Sequence, residues 1–393
     1  MKNRRLWFLV HGWFSLPVWL LFCFICLTGT IAVFSHELTW LTNPAARAVN
    51  PHNLPARPLH ELIGVVEQTV EGADVSFALQ FEPYMVTAVY FSSPSIPQAI
   101  AYVNPYTAEI QMVNQGLTFI DFMRSLHSWL LFPWQHSYSW GYYLVSAMSV
   151  VVLGAAITGL VIYKRFWRAL WRPTIRFNRG ARTLLGDLHR TTGVWSLWFL
   201  LIMGLTGLWY LAQALMWHHE IEIAPEITPL AAERVPLLPE GAGLPTPITF
   251  SSAQAAAEGM LPGVRLHWAQ APEHNRDYYT FAGSGDEVFF DSYAHRVKVD
   301  PWTGAVASVV TPASMAPLQA VSHIADPLHY GTLAGLWTKV LWFLSGVMLS
   351  GMSITGFLIW SKRTFREVRG VAAAPSAAAA VPNWKSAQER GAT

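Results

Sequence analysis

Long apolar runs decide what this chain can fold into. Between Thr191 and Trp217 the sequence contains no charged residue and no proline, and a helix needs only about 20 such residues to cross a bilayer. Together with three similar runs it gives four, at 6–34, 140–163, 191–217 and 333–360. Because a helix satisfies its own backbone groups inside lipid, the runs predict a membrane α-helical protein with four transmembrane helices.

The composition agrees with this class of protein. Hydrophobic residues make up 52% of the chain, charged residues only 13%, and there are 19 Trp, a residue that collects at membrane interfaces. The lipid bilayer is therefore an expected partner. The net charge of +2 is a sum over an uneven distribution and gives no reason to expect a nucleic-acid partner.

The positions of the basic residues predict the orientation, because cytoplasmic loops collect Lys and Arg. Basic residues precede the first run, follow the fourth, and occur seven times between Lys164 and Arg182 with no acidic residue. We therefore expect a multi-pass protein of the bacterial inner membrane with cytoplasmic termini. The predicted segments are helix 1 (1–35), a periplasmic module (36–139), helix 2 (140–163), a cytoplasmic basic loop (164–188), helix 3 (189–217), a second periplasmic module (218–332), helix 4 (333–361) and a mostly disordered tail (362–393).

A repeated spacing indicates a two-fold internal pseudo-repeat. His11 and His189 each open a run and are each followed 17 residues later by a Thr-Gly pair. Thr-Gly pairs also occur in the second and fourth runs, at 158–159 and 355–356. Since small residues let helices approach closely, we assign the Thr-Gly pairs to helix packing.

The segments outside the membrane also repeat a pattern. Each has a helix-like run, then strand-like alternation, then a turn, which is NPYT at 104–107 and DPWT at 300–303. Pro fixes φ in such turns and Asn or Asp bonds the local backbone. Each segment ends with a further histidine, His127 or His329, shortly before the next run. We expect two small α+β modules.

These motifs resemble a known family. The outer modules look like PepSY domains, and the runs, with the motifs HGW, LHRTTG, LHYGTLAGLW and TGFLIW, are similar to the PepSY-associated transmembrane family over about residues 5–365. Asn104 and Ala108 depart from the Asp and Gly of the second module's turn. The resemblance to siderophore reductases in this family implies an oxidoreductase with two haems, which passes electrons to a ferric siderophore of hydroxamate type in the periplasm and so releases Fe(II) for iron uptake.

Histidine chemistry fits this expectation, because neutral imidazole is an axial ligand of haem iron. The predicted topology sorts the histidines into His11 with His189 at the cytoplasmic boundary and His127 with His329 at the periplasmic boundary. No CxxCH motif is present, so the predicted cofactor is haem b, two per chain. Arg124 and Arg190 lie beside these histidines in sequence and are candidates to bind haem propionates.

Each assignment has an alternative. A histidine at a helix boundary also caps or snorkels, and either arginine also serves as an ordinary interface residue. A second group of candidate ligands lies near the outer ends of the runs: His36, His218, His219 and His136.

No strand followed by GxGxxG is found, so flavin and nicotinamide sites are not predicted. The electron donor would then be a membrane quinol or a cytoplasmic reductase.

Two other functions compete with the reductase. One is transport of a siderophore or of haem, which needs a polar path at mid-membrane, and the other is a membrane-anchored PepSY module with a binding or regulatory role.

Overall fold

The computed structural model describes residues 2–235 and 248–372 of the 393-residue chain. Of the predicted tail, 362–393, the first part continues a helix to Ala372, and 373–393 lie outside the described residues. The described α-helices are α1 (Lys2–Ser15), α2 (Trp19–Ala32), α3 (Ser35–Thr42), α4 (Leu59–Thr69), α5 (Phe119–Trp129), α6 (Trp140–Ile162), α7 (Phe166–Trp171), α8 (Ala181–Trp195), α9 (Leu197–His218), α10 (Phe250–Met260), α11 (Pro317–Tyr330) and α12 (Leu336–Ala372).

Three of the described helices are long and apolar enough to cross a membrane: α6, α9 and the Leu336–Lys362 part of α12. A fourth crossing is obtained when α1 and α2 are counted together as one bent span. The chain is thus a multi-pass helical membrane protein, as its apolar runs predict.

The first predicted span is two helices rather than one. α1 and α2 are bent by 62° at a break that contains Pro17, and proline kinks a helix because it has no N–H and its ring clashes with a preceding carbonyl. The third predicted span is also interrupted, at Ser196, between α8 and α9. The Ser196 hydroxyl donates to the Thr192 carbonyl at 2.6 Å, a bond that often bends helices.

These breaks let the two histidine-bearing helices change neighbours. α2 packs against α12, and α6 packs against α9. Beyond the breaks, α1 packs against α6 and α8 packs against α12. The main neighbour therefore changes at each break, from α6 for α1 to α12 for α2, and from α12 for α8 to α6 for α9. Phe22, Val152, Phe199 and Trp342 belong to the buried cluster between the helices.

The strands of the two segments between the spans together form one antiparallel sheet. Its strands lie in the order β4-β3-β2-β1-β5-β6-β7-β8. The first segment supplies β1 (Asp74–Leu79), β2 (Thr87–Ser93), β3 (Ile96–Val103) and β4 (Ile110–Asn114), and the second supplies β5 (Arg265–Gln270), β6 (Tyr279–Ser284), β7 (His295–Val299) and β8 (Val306–Val310). Ala78 of β1 pairs with Ala269 of β5 at the joint.

One face of the sheet is covered by α4 and α10, whose apolar sides share a core with the strands. Leu62, Ile63 and Val66 of α4 are fully buried there, together with Phe281 and Val297 of the strands. Burying such side chains contributes about 1.5–3 kcal/mol each. The other face is turned toward the membrane helices: Ile100 and Tyr102 pack there with Trp40 and Ile120, and other strand residues line a cavity.

The NPYT and DPWT turns have the same local structure despite their different residues. The side chains of Asn104 and Asp300 each accept two backbone N–H groups of the turn. Ala108 has φ +60°, and Gly304 at the matching place has φ +71°. The alanine thus adopts a left-handed conformation that costs a non-glycine residue energy, and the turn is kept.

Two short helices connect the sheet to the membrane helices. α5 follows β4 and packs against α2 and α6, while α11 follows β8 and packs against α9. Each ends at a residue with a left-handed backbone, Leu130 with φ +55° and Gly331 with φ +75°. His127 and His329 lie in the last turns of these helices.

Candidate functional site

The structure brings the four predicted histidines together as two pairs. The α1/α8 pair consists of His11 and His189, with ring centroids 6.3 Å apart and ring planes at 79°. The α5/α11 pair consists of His127 and His329, also with centroids 6.3 Å apart but with planes at 35°. Each pair joins one helix from the first half of the chain to one from the second half.

Local structure explains the position of the α5/α11 pair. Thr118 begins α5 by accepting the Asp121 N–H at 3.0 Å and donating to the Asp121 carboxylate at 2.6 Å, a capping arrangement that stabilises a helix start. At the end of α11, the Trp342 indole N–H donates to the Leu328 carbonyl at 2.8 Å, which ties this helix to α12. The start of α5 is therefore capped, and the end of α11 is tied to α12.

Every histidine of the two pairs contacts the threonine of a Thr-Gly pair. The Nδ1 atom lies within hydrogen-bond distance of the threonine Oγ1 in each case. The distances are 2.9 Å for His11 and Thr158, 3.2 Å for His189 and Thr355, 3.2 Å for His127 and Thr28, and 2.8 Å for His329 and Thr206. The assignment of the Thr-Gly pairs to helix packing alone was therefore incomplete.

The glycines of three Thr-Gly pairs let an imidazole lie directly against a helix. A Cβ atom on Gly29 would be 2.7 Å from Cε1 of His127, and one on Gly356 would be 3.1 Å from Cε1 of His189. On Gly159 the corresponding distance to His11 is 3.6 Å. Gly207 instead faces Ser149. The absence of a side chain at Gly29 is thus required for the present position of His127.

The paired histidines fit two axial ligands of one metal atom. Two imidazoles bound on opposite sides of a metal through bonds of about 2 Å place their ring centroids about 6 Å apart, which agrees with both pairs. Within the described parts of the chain no group of three or more His, Cys, Asp and Glu residues is placed to hold a metal ion. Two histidines without further protein ligands are a donor set of haem iron.

A cavity of about 1470 Å³ lies between the sheet and the membrane helices. His127 and His329 form part of its wall, as do Trp268, Arg296 and Lys298 from the strands. Arg124, one helical turn before His127, also lines the cavity and makes no hydrogen bond or ion pair to a described residue. Its guanidinium is therefore free to bind an anionic group in the cavity.

Arg190 has different surroundings. Its guanidinium bonds to the buried Asp187 carboxylate, which also accepts a side-chain bond from Arg176 at 2.8 Å. The bonds from Arg176 lower the pKa of Asp187 to about 2. The structure thus places Arg190 in an ion-pair cluster that connects the basic loop to α8, close to His189.

A buried lysine that the sequence analysis did not single out connects the sheet to α12. Lys339 Nζ donates to Glu37 and to Glu82, both at 2.8 Å, and Tyr84 donates to Glu37 at 3.0 Å. Burial alone would raise the pKa of Glu82, but the neighbouring His36 and Lys339 outweigh burial and hold the pKa at about 2. No sequence motif indicates this cluster, because its members are far apart in the chain.

The second group of candidate histidines does not join either pair. His36 lines the cavity, with Nδ1 3.6 Å from the Glu82 carboxylate. His218 stacks on Tyr138 and lies 3.0 Å from the Tyr143 hydroxyl. His219 and His136 are exposed.

Comparison with known proteins agrees with this architecture. The profile of the family described as "PepSY-associated TM region" matches residues 8–363. An uncharacterized protein of Pseudomonas aeruginosa is 38% identical over 90 residues, which are 22% of this chain and 21% of that protein. The aligned region thus spans about a fifth of that relative. The match over nearly the whole chain places this protein in the PepSY-associated transmembrane family.

Proposed function

We propose that the chain is an inner-membrane oxidoreductase that binds two haems b and passes electrons outward to a ferric siderophore, releasing Fe(II). The observation that carries the proposal is the separation of the paired imidazoles, 6.3 Å in both pairs. A separation that suits two imidazole ligands of one metal atom occurs twice, between helices of different halves.

In this proposal each pair holds one haem, which when bound would supply a one-electron carrier. The bends of α1/α2 and α8/α9 would keep one pair in position. The packing of α5 against α2 and α6 and the bond between α11 and α12 would keep the other. Arg124 would bind a propionate in the cavity beside the α5/α11 pair. Arg190 would have to share its guanidinium with Asp187.

The basic residues support an outward direction of electron flow. The loop between α6 and α8 carries the seven basic residues, which favours a cytoplasmic loop and a periplasmic sheet. The α1/α8 pair would then hold its haem on the side of a cytoplasmic reductase or a membrane quinol, the proposed electron donors. The α5/α11 pair, which lines the cavity below the sheet, would hold the haem that supplies one electron for each Fe(III) ion.

The cavity supports a substrate of low net charge. Its wall contains seven Asp or Glu residues and four Lys or Arg residues. Three hydroxamates neutralise Fe(III), whereas three catecholates leave a trianion, and a wall with more acidic than basic residues repels a trianion. A ferric hydroxamate chelate is therefore the proposed substrate class.

Single alanine variants of the four histidines test the relay. His11→Ala or His189→Ala should leave the haem of the α5/α11 pair spectroscopically intact but prevent its reduction by the membrane donor. His127→Ala or His329→Ala should leave the other haem reducible and stop Fe(II) release, measured with a ferrous-specific chelator. His219→Ala, an exposed histidine outside both pairs, is the matched control.

Two outcomes would contradict the proposal. If all four variants keep their haem content and full Fe(II) release, the histidines are structural. If the intact protein moves a labelled chelate across vesicle membranes without reducing its iron, the chain is a transporter. Reporter fusions after Gln80 and Gln270 should be active in the periplasm and a fusion after Arg176 in the cytoplasm; the opposite pattern would reverse the proposed electron path.

A further inference from the structure

The hydroxyl groups that contact the four histidines have a second partner in each case. Each threonine oxygen also lies close to a backbone carbonyl one turn earlier in its own helix. The distances are 2.6 Å from Thr158 to the Gly154 carbonyl, 2.7 Å from Thr206 to Ile202, 3.0 Å from Thr28 to Phe24 and 3.0 Å from Thr355 to Met352.

A threonine hydroxyl has only one proton to donate. Two oxygen atoms as close as 2.6–2.7 Å, as at Thr158 and Thr206, must have a proton between them, and a carbonyl cannot supply it. The hydroxyl therefore donates to the carbonyl. Its oxygen is left as an acceptor, so the bonds to His11 and His329 require a proton on Nδ1. The Thr28 oxygen lies within hydrogen-bond distance of two carbonyls, that of Phe24 at 3.0 Å and that of Ile25 at 3.1 Å, so its proton is directed to them and the bond to His127 also requires a proton on Nδ1.

His189 leads to the same assignment by a separate route. Its Nδ1 lies 3.1 Å from the Met352 carbonyl as well as 3.2 Å from the Thr355 hydroxyl. Since a carbonyl oxygen only accepts hydrogen bonds, Nδ1 of His189 must be the donor. The lone pair of a neutral imidazole is then on Nε2.

We propose that Thr28, Thr158, Thr206 and Thr355 are positioning residues that hold the four histidines as the tautomer with the proton on Nδ1, so that every Nε2 carries the lone pair that binds iron. The use of that lone pair for haem rests on the proposed function, whereas the tautomer itself does not. A hydroxyl acceptor is suited to this place because it fixes the ring without introducing a charge inside the membrane. Hydrogen bonds of this kind orient the ligand and increase its basicity.

The test uses the full-length protein labelled with ¹⁵N-histidine, produced without haem and reconstituted in bilayers, because iron bound to Nε2 would itself fix the proton on Nδ1. In the unmodified protein, ¹⁵N chemical shifts should show Nδ1 protonated at all four histidines. Thr28→Val, Thr158→Val and Thr206→Val should each remove this preference at the histidine that the threonine contacts, and Thr→Ser at the same place should restore it. Thr355→Val should leave Nδ1 of His189 protonated, because the Met352 carbonyl still accepts from it. Thr30→Val is the matched control, because Thr30 makes the same bond to a carbonyl of α2 at 2.6 Å and contacts no histidine.

Haem retention gives a second and separate measurement. In a Thr→Val variant the haem of the affected pair should bind about 10- to 100-fold more weakly, the usual effect of losing such a hydrogen bond, and Thr→Ser should recover it. Protons on Nε2, or tautomers that do not change in the Thr28→Val, Thr158→Val and Thr206→Val variants, would overturn the inference. If the protein binds no haem when haem is supplied, while its histidines still carry the proton on Nδ1, the proposed function is overturned and the tautomer assignment is left intact.

Discussion

The close approach of His127 to α2 gives a graded prediction for three glycines. In Gly29→Ala the new methyl carbon would lie 2.7 Å from Cε1 of His127 and 3.2 Å from both ring nitrogens. Carbon atoms in good contact are about 3.5–4.0 Å apart. The imidazole must therefore move by about 1 Å, away from Gly29 and α2.

The expected magnitude follows from the cost of overpacking. Inserting a methyl group into a filled site costs about 1–3 kcal/mol, which corresponds to a roughly 5- to 150-fold weaker binding of haem at the α5/α11 pair. Gly356→Ala, with 3.1 Å to His189, should have a smaller effect on the other pair. Gly159→Ala, with an ordinary contact of 3.6 Å to His11, is the control and should bind haem normally.

Haem titration of each variant, followed by optical spectroscopy of the purified protein, measures the series. Because alanine stabilises a helix interior by about 0.5–1 kcal/mol relative to glycine, Gly159→Ala should also unfold at a slightly higher temperature. The reasoning is refuted if Gly29→Ala retains haem as well as Gly159→Ala does, or if all three variants lose it equally.

Three further predictions concern the charged clusters and the ring angles. Lys339→Met should destabilise the protein by about 3–5 kcal/mol, because it leaves Glu37 and Glu82 without the lysine. In the unmodified protein, Glu82 stabilises the fold above its ordinary pKa of 4.5, and this stabilisation is lost as the pH falls toward 2. Acid unfolding of the variant should show a smaller loss of stability over this pH range. Asp187→Asn should lower the free energy of unfolding by about 1–3 kcal/mol and make the loop before α8 more sensitive to protease. The haem of the α5/α11 pair should be unchanged. Unchanged proteolysis would argue against the role given to Arg176. The ring planes at 79° and 35° predict two distinguishable low-spin ferric EPR signals, the more anisotropic from the α1/α8 pair, and a single signal would contradict this difference.

Much of the membrane part follows from the sequence, because an apolar run of about 20 residues has few alternatives to a spanning helix. The bend at Pro17 also has a visible cause, although the run appears continuous by hydropathy. The interruption at Ser196 does not, since it depends on a hydroxyl bond within one turn. Local composition therefore predicts the existence of the spans better than their shape.

The site is harder to predict, because its partners lie far apart in the chain. His11 and His189 have the same spacing to the next Thr-Gly pair, which identifies them as equivalent positions, yet neither histidine contacts that pair. His11 contacts Thr158 instead, and His189 contacts Thr355. One signal was available, namely that four Thr-Gly pairs accompany four boundary histidines. The joint between β1 and β5 is similarly invisible, since strand patterns do not show which edges meet.

The most direct test of the account is the haem content of the purified full-length protein from haem-replete cells, measured by the pyridine haemochrome assay after extraction with acid-acetone. Two non-covalent haems b per chain are expected, with one lost in each of His11→Ala and His127→Ala. Well under one haem per chain in the unmodified protein would contradict the central claim that the two histidine pairs are haem ligands.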